Sequence, residues 1–99
     1  MTEDKVEEHA CKRVKQARGL AIKLRFLRGW PDRIFLLPGA FLLFVEFKRP
    51  VGGKFEPLQE RIHAKLRVLG FTVLVWNTKE QVDNYFQEYG HEQIERERS

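Results

Sequence analysis

Apolar residues recur along the chain with two different periods, and the switches between them outline its elements. Val6, Ala10, Val14 and Ala17 fall at helical spacing, predicting an amphipathic helix over about 4–18 that stops at Gly19. Leu20, Ile22, Leu24 and Phe26 then alternate with Ala21, Lys23 and Arg25, the pattern of a half-buried strand. After a break at Arg28–Asp32, two near-continuous apolar runs follow, Arg33 to Leu37 and Phe41 to Lys48, joined by Pro38-Gly39-Ala40. They read as a hairpin buried on most of both faces.

Pro50 ends the third strand, and Val51 to Lys54 form a flexible loop. Pro57 suits the first turn of a second helix, with Leu58, Ile62, Leu66 and Leu69 on its core face and Gly70 as its stop. Phe71 to Trp76 reads as a fourth strand. Thr78 with Gln81 forms a capping box, and Val82, Tyr85, Phe86 and Tyr89 supply the apolar stripe of a third helix ended by Gly90. His91 to Ser99 is charged and expected to be frayed or weakly helical. The order αβββαβα is an α/β arrangement: three strands in succession, a crossover helix, then a strand able to join a mixed sheet in parallel.

Ninety-nine residues suit one domain, with its core over about 4–89. The longest apolar run, Phe41 to Val45, is too short to span a bilayer, and no secretory leader is expected from the polar N-terminus. A single cysteine, Cys11, excludes an internal disulfide framework and fits a reducing cytosol. One Cys and three scattered His do not give paired zinc spacings.

Charge changes the picture more than composition does. The net charge is +4, but residues 12–33 alone carry +7, while residues 1–11 and 71–99 each carry −3. Such a basic stretch is either a footprint for a polyanion or a solvated face. Arg13, Lys15, Arg25 and Arg28 are the candidate phosphate contacts. Asp32 stands isolated among these bases.

The candidate chemistry lies on the hairpin. Glu46 and Lys48 are two apart on a strand, so both leave one face, at the end of the strip that Leu42 and Phe44 form. Alone, the pair could be no more than an ion pair. Asp32 alone is ordinary Pro-Asp turn chemistry. Together they place two carboxylates on adjacent strands, an arrangement that needs a cation or a proton between them. Oxygen donors of this kind suit Mg²⁺ or Mn²⁺. The register matters. A two-residue loop would set Glu46 opposite Pro31, whereas the three-residue loop Pro38-Gly39-Ala40 pairs Leu37 with Phe41, Ile34 with Phe44 and Asp32 with Glu46. Gly39 can take the positive φ that such a loop often needs.

Glu7 borders the stripe of the first helix and could face a second cation, although an acid in a first helical turn is also favoured by the helix dipole. Gln59, in the first turn of the second helix, would singly be dismissed as a surface residue. His9 and His63 read as structural, and Cys11 as packed. Gly52-Gly53-Lys54 lacks the earlier Gly and the following Ser/Thr of a phosphate loop.

In order and approximate spacing, Val6-Glu7, Gly29-Trp30-Pro31-Asp32-Arg33-Ile34, Val45-Glu46-Phe47-Lys48 and Leu58-Gln59 resemble the motifs of VRR-NUC nucleases, a branch of the PD-(D/E)XK superfamily. The resemblance runs from about residue 3 to residue 77. It implies a restriction-endonuclease-like αβββαβ core with an extra C-terminal helix. It also implies that Asp32, Glu46 and the Phe47 carbonyl ligate the metal, with Lys48 serving the nucleophile or transition state. Gln59 would support the site, and Glu7 would bind a second cation directly or through water. Trp30 departs from the small aliphatic residue expected between that Gly and Pro, and is read as a cap on the core.

The resemblance points to a Mg²⁺- or Mn²⁺-dependent endodeoxyribonuclease acting on branched DNA such as four-way junctions, as a homodimer. Two alternatives stand beside it: a binding module of the same fold without catalysis, and a nuclease directed at RNA or at DNA ends.

Overall fold

The fold was obtained as a computed structural model, which describes residues 2–24, 26–49 and 52–98, with side chains to Gln93. Its element order is α1 (Glu3–Gln16), β1 (Leu20–Lys23), β2 (Arg33–Leu37), β3 (Phe41–Phe47), α2 (Pro57–Val68), β4 (Thr72–Trp76) and α3 (Lys79–Arg98). The four strands form one sheet in the order β1-β2-β3-β4, antiparallel for the first two pairings and parallel for β3 with β4. This is the mixed α/β sheet expected of a restriction-endonuclease-like core. The expectations that fall on Arg25, Pro50, Val51 and Ser99 lie outside the described residues.

Period-two alternation on β2 and β3 separates two cores. Phe35, Leu37, Leu43, Val45 and Phe47 point to one face and pack with Val6, Ala10 and Val14 of α1 and Val82, Phe86 and Tyr89 of α3. Phe44 with Val73 points to the other, where Leu66 of α2 completes a smaller core with Ile34, Leu42, Ile62 and Trp30 against it. β3 is therefore buried from Leu43 to Phe47, as a continuous apolar run requires.

The hairpin takes the odd register: Leu37 pairs with Phe41 and Arg33 with Val45. Gly39 at φ +91° and Ala40 at φ +63° close the three-residue loop. α1 ends in a Schellman motif, with Arg18 N–H donating to the Lys15 carbonyl and Gly19 N–H to that of Val14. The left-handed residue is Arg18, at φ +66°, rather than Gly19. Gly19 is there for space, since a Cβ on it would lie 2.4 Å from the Leu36 carbonyl oxygen.

Three expectations need correction. β1 stops at Lys23, and its apolar residues Leu20 and Ile22 are 64% and 40% exposed. They share the α2 face with Leu36 and Ile34, but α2 lies over β4 and leaves that end of the sheet open; Ala21 is the residue that packs inward. Leu69 is likewise exposed, and the α2 position that is buried instead is His63. Finally, α3 continues through Gly90 to Arg98, because a single glycine lowers helix propensity without breaking the hydrogen-bond ladder.

Candidate functional site

The strand register builds the site. One residue beyond the Arg33–Val45 pair, Asp32 and Glu46 fall opposite each other on the α2 face. There the backbone ladder gives way to a side chain, and the Phe47 N–H donates to Asp32 Oδ2 at 2.9 Å. The Asp32 carbonyl is held in turn by the Leu24 N–H at 3.1 Å. Gly29 and Pro31 bring the chain into this position. Gly29 adopts φ +82°, and a Cβ on it would lie 2.7 Å from Leu58 Cγ and 2.9 Å from Ile62 Cδ1, so the approach to α2 admits only hydrogen. Pro31 is fully buried behind it. Trp30 packs tilted on Phe44, with centroids 6.0 Å apart, and also walls the site.

Lys48 follows Glu46 by one strand period, and its Nζ stands 3.5 Å from Glu46 Oε2. It also donates to Gln59 Oε1 at 3.1 Å and lies over the Phe55 ring at 4.9 Å. The same Gln59 oxygen accepts the Glu56 N–H at 3.1 Å, so one side chain both closes the N-terminus of α2 and fixes Lys48. Asn77 Nδ2 donates to the Lys48 carbonyl at 3.3 Å and holds the end of β3.

Glu46 is only 3% exposed. Burial above all, then the neighbouring Asp32 charge, pushes its carboxyl up to about 7, against the pull of Lys48. Asp32 is also raised, by burial and then by Glu7, with the Phe47 N–H opposing. Glu7 faces a cleft of about 310 Å³ together with Asp32 and Gln59, and one of its oxygens accepts from Arg33 Nε at 2.6 Å. The structure thus gathers Asp32, Glu46, Lys48, Gln59 and Glu7 around one end of β3.

His63 is the member that sequence reasoning set aside. It is 2% exposed, and its Nε2 lies 3.9 Å from Glu46 Oε1, beyond hydrogen-bond length. Among the described residues neither atom has a hydrogen-bond partner. Burial, then Arg67 and Lys48, holds the imidazole below its usual range, so it stays neutral. Helical spacing from Gln59, one turn earlier, is the signal that could have found it.

The donor set fits a hard cation. Among the described residues Glu46 Oε1 is a buried acceptor without a donor, and the facing Asp32 charge raises the Glu46 carboxyl further. No group of three or more His, Cys, Asp or Glu side chains is poised for a metal among the described residues. Carbonyl oxygen and water would therefore complete the shell, which suits Mg²⁺ or Mn²⁺ and not zinc.

Of the candidate phosphate contacts, Arg13 Nε faces Asp83 at 3.9 Å and its guanidinium covers Phe86, towards α3. Lys15 is exposed on α1, Arg28 is exposed on the β1–β2 loop, and Arg25 lies outside the described residues. His9 Nε2 meets Asp83 at 2.7 Å and ties α1 to α3.

The comparison with known proteins is decisive at this point. Over 80 residues the chain is 40% identical to the protein named "Putative nuclease p44" of Acyrthosiphon pisum secondary endosymbiont phage 1, covering 79% of this chain and 85% of that one. A solved structure titled "VRR_NUC domain" superimposes with a TM-score of 0.77 at 31% identity, covering 88% of this chain and 96% of that one. The chain belongs to the VRR-NUC family of nucleases. No family model matches it. For a VRR-NUC protein, the oxygen-rich end of β3 is where phosphodiester chemistry would be sought. No helix among the described residues is long and apolar enough to cross a membrane.

Proposed function

We propose that this VRR-NUC protein is a Mg²⁺- or Mn²⁺-dependent endodeoxyribonuclease that cuts branched DNA, four-way junctions included, as a homodimer. The observation that carries the reading is the odd hairpin register, which sets Asp32 opposite Glu46 with Lys48 and Gln59 beside them. Asp32, Glu46 and the Phe47 carbonyl would hold the ion, with Glu7 available to a second one. The ion would supply positive charge to the scissile phosphate and acidify a bound water.

The chain's own residues do the rest. Lys48, fixed by Gln59 and Phe55, presents a point charge where negative charge develops on the attacked phosphate, or orients the attacking water. A lysine held in this way needs no reorganisation as the reaction proceeds. The Phe47 N–H keeps the Asp32 carboxylate aimed at the site. All these positions carry competent residues, which disfavours a purely binding module. Branched DNA is the substrate that the family resemblance implies, and carboxylates with a lysine would engage it through phosphates and shape.

The test is one gel series with branched, flapped and linear duplex DNA, single-stranded DNA and RNA, each with Mg²⁺, Mn²⁺ or EDTA. Metal-dependent cutting of branched DNA is expected, lost in Asp32→Ala and Glu46→Ala while DNA binding persists. Full activity in EDTA or in Glu46→Ala would sink the reading. Preferential cutting of RNA or of DNA ends would replace it by the alternative.

A further inference from the structure

A second cavity, of about 590 Å³, runs between α1 and β1, and it adjoins the cleft at Asp32, with Glu7 and Lys23 lining both. Asp4, Glu7 and Glu8 line it on α1, Lys23 stands where it meets the cleft at Asp32, and Lys12 and Lys15 follow farther along α1. Lys12 and Lys15 are one helical turn apart on α1, and Lys23 ends β1 across the groove. These three are exposed and, among the described residues, make no ion pair. Neighbouring bases differ: Arg13 is engaged by Asp83 and Phe86, Arg33 by Glu7, and Arg49 by Glu3. Three exposed ammonium groups that no carboxylate pairs, facing one groove, offer a seat to an anion that carries several charges. A chain of phosphates leading away from the site is such an anion, while the acidic residues are left for cations and the reacting phosphate.

We infer that the α1–β1 groove carries the phosphates of the DNA strand flanking the scissile bond, with Lys12, Lys15 and Lys23 as its contacts and Arg13 outside it. The inference rests on the nuclease reading for its substrate, and on the groove for everything else. Cys11, the chain's single cysteine, lines the same groove and serves as a native reporter.

The experiment uses the full-length Glu46→Ala protein, which should bind without cutting, and a fluorescent four-way junction. Binding is followed by anisotropy across a salt series, and labelling of Cys11 by N-ethylmaleimide is timed with and without saturating DNA. Expected are several-fold slower labelling when DNA is bound and a salt slope of log affinity that flattens by about 0.7–0.9 for each of Lys12→Gln, Lys15→Gln and Lys23→Gln. Arg13→Gln should leave the slope unchanged. DNA that binds and is cut by the unmutated chain, yet leaves Cys11 labelling and the lysine variants' slopes unaltered, would overturn the groove and spare the nuclease reading. Absence of cutting under any metal would fail that reading, and Cys11 protection with flattened slopes would still support the groove as a nucleic-acid track.

Discussion

At the scale of single residues, the site is marked by a buried acid, Glu46, that one lysine only partly offsets. In the folded chain Glu46 keeps its proton up to about pH 7, whereas the unfolded value is 4.5. Between these values the folded state holds the extra proton, so its stability falls as pH rises, and the loss is complete above pH 7. The whole effect is up to about 3 kcal/mol. Glu46→Gln removes it without changing shape. In EDTA, the melting temperature of Glu46→Gln should match the unmutated chain near pH 4.5 and exceed it by on the order of 10 °C at pH 8. A gap that does not grow with pH, read by calorimetry, would show that Glu46 is solvated. Asp32, Glu46 and Lys48 were legible because a strand's period of two puts them on one face. His63 was not, because a histidine on an apolar helical stripe usually only packs, and its neighbour Glu46 is reached through tertiary structure alone.

Elements are legible where local pattern and tertiary burial agree. The hairpin did so to the residue, since Gly39 supplied the φ that an odd loop needs and both faces of β3 were apolar. β1 and the end of α3 did not. Alternation at Leu20 and Ile22 says which residues share a face, but not whether a helix lies over it. Gly90 is a stop only where the chain turns left-handed, and there it does not. The element that most tightly couples fold to site is the turn into β2. Gly29 and Gly52 both have φ near +80°, but of the two only Gly29 would bring a Cβ against side chains; among the described residues nothing lies within 4 Å of a Cβ placed on Gly52. Gly52→Ala should therefore cost only the backbone term, about 1–2 kcal/mol. Gly29→Ala adds overpacking against Leu58 and Ile62, about 1–3 kcal/mol more, and moves Asp32. Urea unfolding midpoints should separate the two variants, and only Gly29→Ala should lose metal-dependent cutting. Equal midpoints would mean that α2 yields freely.

For the whole molecule, the proposed substrate raises the question of how one site per chain would resolve a junction that has to be cut twice. Two cuts related by a two-fold axis follow if two copies associate through the same patch of each. The sheet offers such a patch on its α2 side, where β1 is an edge strand and Leu20 and Ile22 stand exposed beside Leu36 and Ile34. The basic groove lies between β1 and α1, so pairing through this α2-side face leaves both grooves open to DNA. Light scattering at micromolar concentration should therefore give a dimer. Leu20→Lys with Ile22→Lys should give a monomer, because two apolar contacts become like charges facing their symmetry mates. A supercoiled plasmid bearing a cruciform separates the consequences: paired cuts within one encounter give linear plasmid, single cuts give nicked circles. The unmutated chain should yield linear product, and the double variant nicked circles, with Asp32, Glu46 and Lys48 untouched in both. A strict monomer that still linearises the cruciform plasmid in one encounter would show that the second cut needs no second subunit.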